Sequence, residues 1–157
     1  MTGVSADRFA PEMAVTRGMV AEVLFRLSEE SYTGTAAYTD VAPDAWYSRA
    51  VAWGTEQGVL YGYGGGKFGP EDPVTREQLA AMLYRYVQYK KGDTSARAGL
   101  SAFQDAAAVS AYAREAMEWA VGSGLIQGRS TTALAPGGTA SRAELAAILV
   151  RFQAMKK

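Results

Sequence analysis

Three stretches of the chain share one pattern of apolar and polar positions. Residues 9–27 read FAPEMAVTRGMVAEVLFRL, residues 68–86 read FGPEDPVTREQLAAMLYRY and residues 134–152 read LAPGGTASRAELAAILVRF, at successive offsets of 59 and 66. Each opens on an apolar residue with Pro two places on. A polar turn follows, then Thr or Ser directly before Arg, then apolar residues every three or four positions. Leu79, Met82, Leu83 and Tyr86 fall on one helical face, as do Leu145, Ile148, Leu149 and Phe152. The pattern predicts an amphipathic helix starting at each Thr/Ser–Arg pair. Thr75 with Gln78, and Ser141 with Glu144, are capping boxes, in which hydroxyl and third-residue side chain satisfy each other's backbone donors. Thr16 has Met19 in the reciprocal place and is expected to cap without a partner.

The segments between these stretches repeat as well. Tyr38-Thr39-Asp40 matches Phe103-Gln104-Asp105, and Trp46, Ala50, Trp53, Gly58 and Gly62 match Tyr112, Ala116, Trp119, Gly124 and Gly128. They predict opening helices over about 44–57 and 110–123, ended by Gly58 and Gly124. The expected organisation is a complete unit over 38–92, a linker over 93–102 and a complete unit over 103–157. Residues 1–37 form the C-terminal part of a first unit. Gly3 lies six residues before Phe9, as Gly62 lies six before Phe68, so Met1 aligns with Leu60 and Ile126. The opening helix of the first unit is therefore expected to be missing, as in a fragment of a longer chain. The fold class is all-α with about five helices and Gly/Pro turns. Residues 38–41 and 60–63 are expected to be extended but too short to form a sheet.

Composition narrows the chemistry. Sixteen Lys and Arg balance sixteen Asp and Glu over 157 residues, which removes the electrostatic case for nucleic acid or an anionic membrane as partner. There is no cysteine and no histidine. Disulfides, thiolate nucleophiles, His-dependent triads and His- or Cys-ligated zinc are excluded. No run approaches the roughly 18 apolar residues of a membrane span, and residues 1–9 lack the basic-then-apolar pattern of a signal peptide. Gly64, Gly66 and Gly69 fit G-x-G-x-x-G, but Pro70 and a polar turn follow where a helix must begin, so no dinucleotide site is expected. Asp and Glu are scattered, and no pair presents itself for acid–base cleavage of a glycan. No cofactor, metal or catalytic residue is expected; the chain reads as a protein that binds.

Two sets of residues carry that reading. Arg17, Arg76 and Arg142 each follow a cap at the first helical position, where the helix dipole mildly disfavours a cation. Three such placements in three repeats suggest a use. A helix start with free N–H donors and an added guanidinium fork makes a receptor for carboxylate or phosphate. The alternative is structural: each Arg pairs with a carboxylate of a neighbouring unit, such as Asp40 or Asp105, and locks the repeats together. The second set is aromatic. Trp53 and Trp119 read as core, whereas Trp46, Tyr47 and Tyr112, in the first turns of the opening helices, are candidates for stacking on sugar rings.

On these residues the chain resembles the surface-layer homology (SLH) domain family. The resemblance lies in Tyr38-Thr39-Asp40-Val41, Trp46-Tyr47, Phe68-Gly69-Pro70 and Val74-Thr75-Arg76-Glu77, and covers nearly the whole sequence. The family's Thr-Arg-Ala-Glu motif stands as Thr16-Arg17-Gly18-Met19, Thr75-Arg76-Glu77-Gln78 and Ser141-Arg142-Ala143-Glu144. Ala106 after Asp105, and Tyr112-Ala113 in place of Trp-Tyr, depart from the pattern. The resemblance implies a pseudo-threefold helical bundle, incomplete here. It implies a secreted cell-surface module that anchors exported proteins to the wall through an anionic secondary cell-wall polysaccharide, commonly with pyruvate ketal-linked to an amino sugar. Grooves are expected between units, one from Arg17, Asp40 and Trp46 and another from Arg76, Asp105 and Tyr112. The third, with Arg142, is expected to be absent or distorted, leaving apolar surface for self-association.

Overall fold

A computed structural model describes residues 13–155. Among them are five α-helices: α1 (Arg17–Ser28), α2 (Ser48–Glu56), α3 (Arg76–Tyr89), α4 (Arg114–Gly122) and α5 (Arg142–Met155). α1, α3 and α5 begin at the three arginines, as the caps predict. The opening helices are shorter than expected. Neither Tyr47 nor Ala113 supplies a side-chain cap, and 3-10 turns at Ala106–Ala108 and Ala111–Ala113 precede α4. Gly58 and Gly124, one residue past the ends of their helices' caps, take left-handed φ of 75° and 77°, the conformation for which glycine is suited.

The copies close around an axis. The Val15 N–H donates to the Ala140 carbonyl (2.9 Å), the Ala140 N–H to the Val74 carbonyl (3.0 Å) and the Val74 N–H to the Val15 carbonyl (2.7 Å). The three residues immediately precede the three helix caps and are buried, so one equivalent position from each copy completes a cyclic ladder. The bridges fall at Ala14–Ser141, Thr16–Pro73 and Thr75–Thr139, with a tight Gly64–Lys67 pair in the glycine loop. None of the residues 38–41 or 60–63, expected to be extended but too short for a sheet, takes part in a bridge. The caps themselves are extended, with Thr16 at φ −88° and ψ 161°, and the buried residues just before them find their backbone partners in the neighbouring copies. Ring closure reaches α5, whose Arg142 N–H donates to the Met13 carbonyl (3.0 Å). The expectations about the first unit's opening helix and the third groove's first-unit side rest on residues 1–12, outside the described residues.

Around this ring α1 packs on α2 and α3 on α4. Trp53 and Trp119 are fully buried. Tyr86 lies 5.9 Å from the Phe152 ring and 6.5 Å from Trp53, joining α3 to α5 and α2. Glu30, just past α1, takes hydrogen bonds from Trp53 Nε1 (2.9 Å), Tyr89 Oη (2.7 Å) and Lys90 Nζ (2.8 Å). These bonds, Lys90 first, hold its carboxyl down at about 2. The segment 93–102 lies along α4: Ala98 N–H donates to the Glu118 carbonyl (3.0 Å), and Leu100 is buried.

Candidate functional site

The helix starts are not free anion receptors. In α3 the Arg76 and Glu77 N–H groups donate to Gly138 and Pro136 carbonyls (2.8 and 2.9 Å), and the capping box takes the Thr75 and Gln78 N–H groups. α1 repeats this: Arg17 and Gly18 donate to Asp72 and Pro70 carbonyls (2.9 and 2.8 Å). Met19 does supply the reciprocal acceptor, through its sulfur, 3.5 Å from Thr16 N. The donors left open at an isolated helix N-terminus are here filled by the next copy.

The guanidiniums are buried too, at 4% exposure for Arg17, Arg76 and Arg142 alike. Arg17 Nε donates to the Phe68 carbonyl (2.9 Å) and Nη2 to the Tyr61 carbonyl (2.7 Å). Its charge also lies 4.6 Å from the ring centres of Phe68 and Tyr63, within cation–π range. Arg76 repeats the pattern one copy on. Nε donates to Leu134 O (3.0 Å), Nη2 to Gln127 O, and Nη1 pairs with the Glu144 carboxylate.

Asp40 and Asp105 do not pair with these arginines. Asp40 accepts from the Phe68 and Gly69 N–H groups (2.9 and 2.8 Å), and Asp105 from Leu134 and Ala135 (2.9 and 2.8 Å). Burial would push the Asp40 carboxyl up, but those N–H bonds prevail and hold it below the usual range; the bonds to Leu134 and Ala135 do the same for Asp105. The expected grooves are corrected accordingly. Tyr112 stands beside Arg17 rather than Arg76, because the direction of the ring sets Arg17 of one copy against the loop and helix of the second and the opening turn of the third. Trp46, 57% exposed, lines a separate cleft with Glu22, Phe25 and Arg49. Tyr47 is buried, its ring against Gly18 and its hydroxyl 3.5 Å from Glu71.

The cleft beside Arg17 has a volume of about 330 Å3 and is lined by Tyr61, Tyr63, Gln78, Met82, Arg85 and Tyr112. The three tyrosines are more than half exposed. Glu77 holds Ser110 through both its backbone N–H (2.9 Å) and its hydroxyl (2.5 Å), which fixes the turn that carries Tyr112. The Arg85 guanidinium lies 4.4 Å over the Tyr61 ring and makes no hydrogen bond or ion pair among the described residues. Arg17 Nη1 likewise has no hydrogen-bond partner among them. Burial draws both arginines down from their ordinary value, yet arginine remains protonated in any protein setting. Past Arg85 the cleft continues into a second hollow of about 410 Å3 with Gln57, Tyr84, Gln88 and Glu115 on its walls.

Sequence reasoning passed over Arg85, Tyr61 and Tyr63. The repeat offsets carried a signal, since Arg26, Arg85 and Arg151 occupy the same place in the three stretches, nine residues after each cap-adjacent arginine. Among the described residues no helix is long and apolar enough to cross a membrane, and no cluster of acidic side chains is arranged to hold a metal ion.

Comparison with known proteins accords with this architecture. The chain is 30% identical over 154 residues to an amylopullulanase of Thermoanaerobacterium thermosulfurigenes, covering 94% of this chain and 8% of that enzyme. It is 29% identical to a surface-layer 125 kDa protein of Lysinibacillus sphaericus, over 95% of this chain and 12% of that protein. With a cellulosome-anchoring protein of Acetivibrio thermocellus the identity is 26%, over 96% of this chain and 34% of that protein. The chain thus spans a small part of each relative. The family profile described as the S-layer homology domain matches residues 37–80 and 102–146, more than half the sequence and the same two units that hold Asp40 and Asp105. The chain belongs to the S-layer homology domain family.

Proposed function

We propose that this chain is a non-catalytic cell-wall anchoring module, acting at the cell surface, which holds an anionic, pyruvate-bearing wall polysaccharide in the cleft between Arg17, Arg85 and Tyr112. The observation that carries the reading is the pairing in one cleft of two guanidiniums with unused donors, Arg17 Nη1 and Arg85, and three exposed tyrosine rings. A carboxylate on a sugar is met by a charge-assisted guanidinium bond, and the ring faces of Tyr61, Tyr63 and Tyr112 cover its apolar side. The second hollow beyond Arg85 gives a polymer room to continue. The relatives named for the surface layer and for cellulosome anchoring support the same reading. Asp40 and Asp105 serve it by shaping the loops that carry the carbonyls gripped by Arg17 and Arg76.

A second reading, a scaffold that assembles repeats without binding glycan, draws on the number of arginine donors engaged by neighbouring copies. Arg85→Ala separates the two. Anchoring predicts that sedimentation with purified cell wall is lost while the melting temperature and helical circular dichroism hold. Undiminished wall binding in Arg85→Ala, or no wall binding by the unaltered chain, would end the proposal.

A further inference from the structure

The junctions of α1 with α2 and of α3 with α4 follow one plan. Phe25 matches Tyr84 at the offset of 59, and Arg49 and Trp53 match Glu115 and Trp119 at the offset of 66. The ring pairs agree, with Phe25 5.3 Å from Trp53 and Tyr84 5.4 Å from Trp119. What lies outside the rings differs. Beside α4, the connection over 90–104 lays its own backbone on the helix. The Ala98 N–H donates to the Glu118 carbonyl (3.0 Å), and the Arg97 backbone lies so close to Gly122 that a Cβ there would meet it at 2.7 Å. Arg97 Nη2 donates to Tyr84 Oη (3.0 Å) and to the Glu115 carboxylate (2.8 Å), with the guanidinium 5.6 Å from the Tyr84 ring centre. A peptide segment thus seats one charged side chain between an aromatic ring and an opposite charge.

At the junction of α1 with α2 the matching place is an open cleft of about 570 Å3, lined by both counterparts, Phe25 and Arg49. The connection there, over 29–39, is shorter. Its Thr33 and Thr35 line the cleft with hydroxyls that make no hydrogen bond among the described residues. Arg49 is exposed and makes no hydrogen bond or ion pair among them. Ser48, also on the wall, is 3% exposed, and its hydroxyl has no partner among them either. A buried hydroxyl left unpaired is costly, and an occupant of the cleft would relieve it. Glu22 is already held by Arg26 Nε (2.8 Å). None of the three cap-adjacent arginines lines this cleft, which sets it apart from the one assigned to the polysaccharide.

We infer that the cleft between Phe25 and Arg49 is a docking site for a peptide segment of a partner protein, seated as the chain seats its own Arg97 segment one junction on, with an acidic side chain where Arg97 carries its guanidinium. The charge at the seat is reversed, Arg49 standing for Glu115, so the occupant's charge reverses with it, and a guanidinium–carboxylate bond replaces its mirror image. Phe25 lacks the hydroxyl with which Tyr84 meets Arg97. The hydroxyls of Ser48, Thr33 and Thr35 both donate and accept, as backbone N–H and C=O groups of a peptide require. Asp44, exposed on the same wall, accepts only, and suits a backbone N–H. So small a contact belongs to the weak, transient class of interfaces. The inference goes beyond wall anchoring and does not depend on it.

The chain itself supplies the probe. Two synthetic peptides copy residues 92–100, one with the sequence as it stands and one with Arg97→Glu. Each is titrated into the isotope-labelled chain and followed by amide NMR, which detects weak binding. The Arg97→Glu peptide should shift the amides of Thr33, Ser48 and Arg49 and bind about tenfold tighter than the unaltered peptide, an attractive exposed pair replacing a repulsive one. In the chain variant Arg49→Glu, a change at an exposed position, the preference should turn over to the unaltered peptide. Equal affinities, no shift from either peptide, or a preference that survives Arg49→Glu would overturn the inference. Shifts of the same amides by an N-acetylglucosamine trimer, with none from the peptides, would assign the cleft to a glycan and overturn it as well.

Discussion

Arg76 and Asp105 hold Leu134 from opposite ends of its backbone. The Asp105 carboxylate takes the Leu134 N–H at 2.9 Å, and Arg76 Nε donates to the Leu134 carbonyl at 3.0 Å. Arg17 and Asp40 treat Phe68 the same way. One partner comes from the copy that owns the loop and the other from the copy before it, so each clamp is also a joint between copies.

Removing the arginine of a clamp strands buried carbonyls and, at Arg76, the Glu144 carboxylate. Arg76→Ala or Arg17→Ala should cost about 3 kcal/mol, read as a lowered urea midpoint. Arg85→Ala should stay within about 0.5 kcal/mol of the unaltered chain. Equal losses at all three positions would show that the clamp is not where the stability lies.

Gly18 stands where α3 has Glu77 and α5 has Ala143. A Cβ there would meet the Pro70 carbonyl oxygen at 2.9 Å and the Tyr47 ring at 3.2 Å. Gly18→Ala should therefore lower stability by about 1–3 kcal/mol through overpacking, and thermal unfolding followed by circular dichroism measures it. The double change Gly18→Ala with Tyr47→Ala, the residue found at the matching Ala113, should recover less than the whole loss, because the carbonyl contact remains.

Ala135 takes φ 54° where the second copy has Gly69 at φ 72°. A side chain in the left-handed region costs about 1 kcal/mol. Ala135→Gly should thus raise the melting temperature slightly, by relief of up to about 1 kcal/mol. Gly69→Ala should lower it more than that, since its Cβ would come 2.4 Å from the Tyr63 ring.

Glu30 is held at about 2 in the fold, against 4.5 for an ordinary glutamate. A depressed carboxyl contributes stability that is complete above its unfolded value and fades as pH falls through the folded one. Melting temperatures measured from neutral pH down to about 2 should decline across that window, and Glu30→Gln should lower the neutral-pH value while flattening the decline. A decline of unchanged steepness in Glu30→Gln would place the acid sensitivity elsewhere.

What the sequence made legible was local. Thr16, Thr75 and Ser141 mark the helix starts because a cap is written in four consecutive residues, and Gly58 and Gly124 mark helix ends because their backbone needs a left-handed turn. Trp53 and Trp119 read correctly as core from their spacing. Partnerships between copies were not legible. Which opening turn faces Arg17 depends on the direction in which Val15, Val74 and Ala140 close their ring, and neither hand of closure leaves a mark in the offsets. The occupied N–H groups at the helix starts were hidden for the same reason, since Pro70, Asp72, Pro136 and Gly138 offer only backbone carbonyls. Arg85 escaped notice because it sits inside a regular helical pattern, where one polar position looks like another.

The backbone ring through Val15, Val74 and Ala140 sets a rule for how the molecule comes apart. A linear stack of repeats frays from its ends, losing terminal modules while the middle survives. A circle has no terminal member: withdrawing any one segment leaves a donor and an acceptor stranded on its two neighbours. Melting should therefore be a single concerted event, and neither the second nor the third copy excised by itself should hold its shape.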